Sequence, residues 1–125
     1  GGVLTPPRPR AHPDLANSYA NLAVLRKRLR DYVGAAEYCR KAADMRKKLL
    51  GGRHPALGTT YNNLAVLCRR VGDRANALRF YRKALGIKTQ AFGEHHIALA
   101  DIHGNLGALE RLLGHRAEAV HHLQE

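Results

Sequence analysis

The chain has 125 residues, 45% of them hydrophobic, enough for one domain with a buried core and too apolar for a disordered polyelectrolyte. Lysine and arginine number 21 against 10 acids, a formal charge of +11, so the surface favours anionic partners. Two cysteines without metal-type spacing point to a reducing, cytoplasmic compartment, and no apolar run approaches the roughly 18 residues of a membrane span.

Residues 1–11, with "TPPRPR" inside, read as a flexible, proline-rich leader. A first helix is predicted over 13–29, with His12 ahead of Pro13, and a second over 32–50, capped by Asp31 with no glycine before it. A third is predicted over 55–71, where Tyr61, Leu64, Ala65 and Cys68 fall at i, i+3, i+4 and i+7. Pro55 suits its first turn and His54 its cap. Gly72 stops it, and Asp73 caps a fourth helix over 74–92, striped by Ala77, Tyr81, Ala84 and Leu85 and ended by Gly93. A fifth spans 97–113. Gly114-His115 is read as its turn into a sixth over 115–124, which runs off the end at Glu125 as if cut from a longer array.

These elements repeat. His12-Pro13 recurs 42 residues on as His54-Pro55, and His96 follows at the same interval. "NLAVL" at 21–25 recurs at 63–67 and appears as "NLGAL" at 105–109, while Ala35, Ala77 and Ala119 keep the same step. A repeat of this length is a two-helix unit that buries its apolar face only by stacking, hence an all-α solenoid with units at about 12–53, 54–95 and 96–125, the last truncated.

The spacing Tyr61-x2-Leu64-Ala65-x2-Cys68, then Ala77-x3-Tyr81, follows the tetratricopeptide skeleton, with the small residues allowing close helix packing. With units of 42 residues, His54-Pro55 at the opening, Asn62-Asn63-Leu64-Ala65 in the first helix and Phe92-Gly93 at the end of the second, the chain resembles the tetratricopeptide repeats of kinesin light chain. Ile97 departs from that pattern in place of a proline, as do Ala20 and Gly104 in place of the first asparagine. The resemblance implies a right-handed superhelix of helix–turn–helix repeats whose first helices line a concave groove. It implies a non-enzymatic scaffold that binds an extended segment, of the kind in which tryptophan or tyrosine is flanked by acids.

If the apolar stripe of each first helix faces the core, the opposite stripe is the groove wall. It holds Thr59, Asn62, Asn63, Val66, Arg69 and Arg70 in the second unit. The first unit supplies Asn17, Asn21, Val24, Lys27 and Arg28, and the third Asp101, Asn105, Ala108 and Arg111. An asparagine amide both donates and accepts, so it can hold a peptide backbone, and cations one or two turns on suit carboxylates. Asn21, Asn63 and Asn105 recur at one register, so a peptide clamp is the leading reading; the alternative is a structural bridge between adjacent first helices.

Other chemistry is poorly supported by the residues. The eight histidines include two adjacent pairs, which diverge on a helix, so no metal or other cofactor is expected. Cys39 and Cys68 stand at core registers, and no base accompanies them as nucleophiles. The runs "RKRLR" at 26–30 and "RKK" at 46–48 support a second reading as a nucleic-acid-binding surface, although no base-stacking platform accompanies them. A third reading is a structural, self-assembling array, with a second copy docking on the open end to form a homodimer.

Overall fold

The computed structural model describes residues 12–124, and side chains as far as Arg116; the proline-rich leader at 1–11 and Glu125 lie outside the described residues. Among the described residues there are helices and no strand. The order is α1 (Pro13–Arg28), α2 (Tyr32–Leu50), α3 (Pro55–Arg70), α4 (Arg74–Phe92), a 3-10 turn (Ile97–Leu99) and α5 (Ala100–Gln124). α1 packs on α2 and α3 on α4, α2 also lies against α3, and α4 carries the start of α5, so the pairs stack as an α-solenoid.

The 42-residue histidines are helix caps. The imidazole Nδ1 of His12 accepts from the amide of Asp14 at 3.0 Å, that of His54 from Ala56 at 3.1 Å, and that of His96 from Ala98 at 3.0 Å. Each therefore satisfies one of the amides that a helix start leaves free, and Pro13 and Pro55 remove another. Where Ile97 stands in place of the proline, the first turn is 3-10.

The turn inside each pair closes by the same two backbone bonds. Asp31 N donates to Arg26 O and Arg30 N to Lys27 O; Asp73 N donates to Cys68 O and Gly72 N to Arg69 O. This motif needs a left-handed residue. Gly72 supplies it at φ +87°, and Arg30 is forced into it at φ +61°. The next residue caps the following helix: the Asp31 carboxylate accepts from Gly34 N at 2.9 Å, and Asp73 from Asn76 N at 3.2 Å and Asn76 Nδ2 at 2.7 Å.

The expected turn at Gly114-His115 does not form, and α5 runs unbroken through it to Gln124. At the register of Asp31 and Asp73 stands His115. The carboxylate that caps α2 and α4 is missing there, so the helical hydrogen-bond ladder continues.

The predicted stripes form the core. Tyr61, Leu64, Ala65 and Cys68 of α3 and Ala77, Tyr81 and Ala84 of α4 are buried, in one cluster with Ala35, Cys39 and Ala43 of α2 and Ile102, Leu106 and Leu109 of α5. Both cysteines are free and buried. Burial pushes the Cys39 thiol up to about 11 and raises that of Cys68, so both stay protonated and act as small apolar groups.

Two predictions follow from the turns. Arg30→Gly relieves a left-handed arginine and raises stability by roughly 1 kcal/mol in urea denaturation, whereas Gly72→Ala lowers it. The side-chain and backbone hydrogen bonds of Asn76 hold the Asp73 carboxyl below its ordinary value. Its contribution is therefore present above the ordinary carboxylate value and lost as pH falls through the lowered one. Melting Asp73→Ala beside the wild type should show a lower Tm at neutral pH, with the difference shrinking in acid. A constant difference at every pH would contradict the cap.

Candidate functional site

Because adjacent units lie side by side, residues 42 apart form rows running from one first helix to the next. Between α1, α3 and α5 these rows enclose a cavity of about 380 Å³. Ala20, Ala23, Val24 and Lys27 line it from α1, and Thr60, Asn62, Asn63, Val66 and Leu67 from α3. Asp101 and Asn105 close it from α5, and Cys39, Ala42 and Arg46 reach it from α2. A second depression, of about 430 Å³, shares Val66 and Asn105 with the first and adds Arg69, Arg70 and Tyr81. The two together make one groove.

Nine of the wall residues predicted from the sequence line it: Val24, Lys27, Asn62, Asn63, Val66, Arg69, Arg70, Asp101 and Asn105. Asn21, Arg28 and Arg111 are exposed and outside both depressions, and Asn17 is at the edge, where its Oδ1 accepts from Arg46 Nη2 at 3.4 Å. The asparagine row is thus divided. Asn105 Nδ2 donates to Asn62 Oδ1 at 3.4 Å, bridging α5 to α3. Asn63, one residue away and exposed, makes no side-chain hydrogen bond among the described residues.

The groove also holds a cation that the sequence reading placed elsewhere. Arg46 was counted with the basic run at 46–48, yet it is half-buried. Its Nη1 donates to Thr60 Oγ1 at 2.8 Å, and that hydroxyl donates in turn to Ala56 O at 3.0 Å. The signal was available: Arg46 comes seven residues after Cys39 and four after Ala42, on the same face of α2. Thr60 was missed for the same reason, as a buried polar residue on a core register.

The charge of the groove is mostly positive. Among the described residues the lysine or arginine pair with a carboxylate within 4.0 Å is Arg26–Asp31, so Lys27, Arg46, Arg69 and Arg70 have no carboxylate partner. Arg70 lies over the Tyr32 ring at 5.0 Å, a cation–π contact that positions it without neutralising it. Burial pushes the Tyr81 hydroxyl up, and the Arg69 guanidinium beside it works the other way. Asp101 is the acid in the lining, so the wall is not uniformly basic.

Among the described residues no three of histidine, cysteine, aspartate or glutamate converge as a metal site would require, and no helix is long and apolar enough to cross a membrane.

A model of the tetratricopeptide repeat family matches residues 14–90 and 70–125. The fold is similar to the crystal structure of BtubC (BKLC) from P. vanneervenii, with a TM-score of 0.74 and 30% sequence identity over 87% of this chain. The match spans 44% of that protein, less than half its length. No curated protein matches the chain. With its 42-residue units and paired helices, the chain belongs to the tetratricopeptide repeat family, as an array of the kinesin light chain type.

Proposed function

We propose that this tetratricopeptide array is a protein-interaction scaffold whose groove binds an extended, acidic peptide, and that the molecule does no chemistry on it. The observation that carries this reading is a pair of depressions that share Val66 and Asn105, with Lys27, Arg46, Arg69 and Arg70 around them and, among the described residues, no carboxylate within ion-pair distance of any of the four.

Each wall position has a physical role in this reading. The Asn63 amide offers a donor and an acceptor to a passing peptide backbone, independent of side-chain identity. Asn62 and Asn105 are already bonded to each other and brace the wall. Ala20, Val24 and Val66 give the floor an apolar strip suited to an aromatic or aliphatic side chain. Thr60 holds the Arg46 guanidinium in place, and its remaining donors suit a carboxylate. Asn17, Asn21, Arg28 and Arg111 stand outside the lining and contribute at the rim, where charge acts mainly on encounter. The buried, reduced cysteines suit a cytoplasmic setting.

Nucleic-acid binding is the weaker reading. The net charge of +11 favours it, but Tyr61, Phe80 and Tyr81 are 7%, 4% and 1% exposed and offer no face for stacking bases.

The two kinds of asparagine should separate on mutation. Asn63→Ala should weaken binding of an acidic, aromatic-containing peptide about fivefold or more and leave the melting curve unchanged. Asn62→Ala should instead cost about 1 kcal/mol of stability through the lost bridge to Asn105. Arg70→Glu should harm acidic peptides and spare neutral ones. Titrating peptide and oligonucleotide at two salt concentrations decides between partners, since phosphate binding falls steeply with salt. If oligonucleotide wins at physiological salt and Asn63→Ala has no effect, the peptide groove is the wrong reading.

A further inference from the structure

The side of α3 facing away from the groove meets a second concentration of charge. Tyr61 of α3 and Phe80 of α4 stack at 5.6 Å with an interplanar angle of 15°. Three cations gather on this pair. Arg79 lies 5.3 Å from the Phe80 ring centre, Arg40 5.7 Å and Lys83 6.0 Å, and Lys83 is also 5.4 Å from the Tyr61 ring. Beside them a depression of about 220 Å³ opens between the end of α2 and α4, lined by Lys47, Gly52, Leu57, Tyr61, Lys83 and Ile87.

Aromatic faces attract cations but do not cancel their charge. Asp44 is the acid whose charge reaches Lys83 and Tyr61, and none of the four cations has a carboxylate within ion-pair distance among the described residues. Arg40, Lys47, Arg79 and Lys83 therefore repel one another. Lys83 registers this: burial and then Arg79, Lys47 and Arg40 lower its ammonium from the usual lysine value. A multiply charged anion would relieve that repulsion, whereas the aromatic contacts alone do not.

We propose that this depression is a phosphomonoester-binding site, in which Lys47 and Lys83 hold the phosphoryl oxygens and Arg40 and Arg79 supply the surrounding positive potential. A phosphomonoester carries close to two charges and three strong acceptors, which suits two ammonium groups lining one depression. A nucleic-acid backbone spreads single charges along a line, and three of these cations instead crowd one aromatic ring. On the reading of the array as a protein-interaction scaffold, the phosphomonoester is carried by a polypeptide, and its site faces away from the peptide groove, with no lining residue in common.

The test is fluorescence anisotropy on the full chain with three versions of one neutral, non-aromatic peptide, carrying serine, glutamate or phosphoserine. The phosphoserine form should bind, with inorganic phosphate competing, and the serine form should not. The double variant Lys47→Gln, Lys83→Gln should lose about tenfold or more of that affinity. Lys48→Gln and Arg82→Gln, exposed cations of the same helices outside the depression, should leave it unchanged. Asn63→Ala should also leave it unchanged, so failure here is distinguishable from failure of the groove. Lys47→Gln alone keeps the test valid if loss of Lys83 from the Tyr61 ring disturbs folding. Equal binding of all three peptides would overturn the site. So would equal losses in the control variants, or an oligonucleotide or anionic vesicle that outcompetes the phosphopeptide.

Discussion

Between the paired helices, side chains give way to methyl groups. Ala35, Ala43, Ala65, Ala77 and Ala84 are each 0% exposed, so at these points only a methyl group stands between the backbones of α2, α3 and α4 and their neighbours. Larger residues at these points would push the pairs apart, at about 1–3 kcal/mol each. They would also move the rows that depend on the spacing. Lys27, Val66 and Asn105 share a cavity only because α1, α3 and α5 sit at one stacking distance. The aromatic groups complete the fit: Tyr81 is buried against the alanine register, and Tyr61 and Phe80 fill the seam between α3 and α4.

From that spacing comes a division of the polar residues into those that hold the array and those left over for a partner. Asn62, Asn105 and Thr60 are engaged within the molecule, and Asp31 and Asp73 cap helices. Asn63 and the groove cations are not paired with acids. A surplus of positive charge is a cost to a folded domain, because like charges repel in the compact state. Lys27, Arg46, Arg69 and Arg70 on one side of α3 and Arg40, Lys47, Arg79 and Lys83 on the other carry part of that surplus, and the anionic ligands proposed for the two sides would relieve it there.

The fold was legible because its signals are local and repeated. Histidine-proline, glycine-aspartate and the i, i+3, i+4, i+7 stripes marked four helices to within one residue at each end. Gly114-His115 misled because glycine alone suggests a turn, while the turn also needs the aspartate that follows Gly72 and Arg30. The two depressions are lined mainly by first helices, and which members of the stripe enter them depends on helix rotation within each unit. That is why Asn21 stays outside while Ala20 and Val24 enter. Arg46 was hidden by its neighbours, since a basic run reads as a solvated face until the helix phase of Cys39 and Ala42 is applied to it.

The central claim is that the face built by α1, α3 and α5 is the binding surface for an acidic peptide. Backbone amide shifts of the isotope-labelled chain, followed by NMR while an unphosphorylated acidic peptide is titrated in, test it most directly. The account predicts saturable shifts at Lys27, Asn63, Val66, Arg70 and Asn105, with the outer positions Arg40, Lys48 and Arg82 unmoved. Shifts confined to those outer positions, or spread evenly over every basic residue, would contradict it.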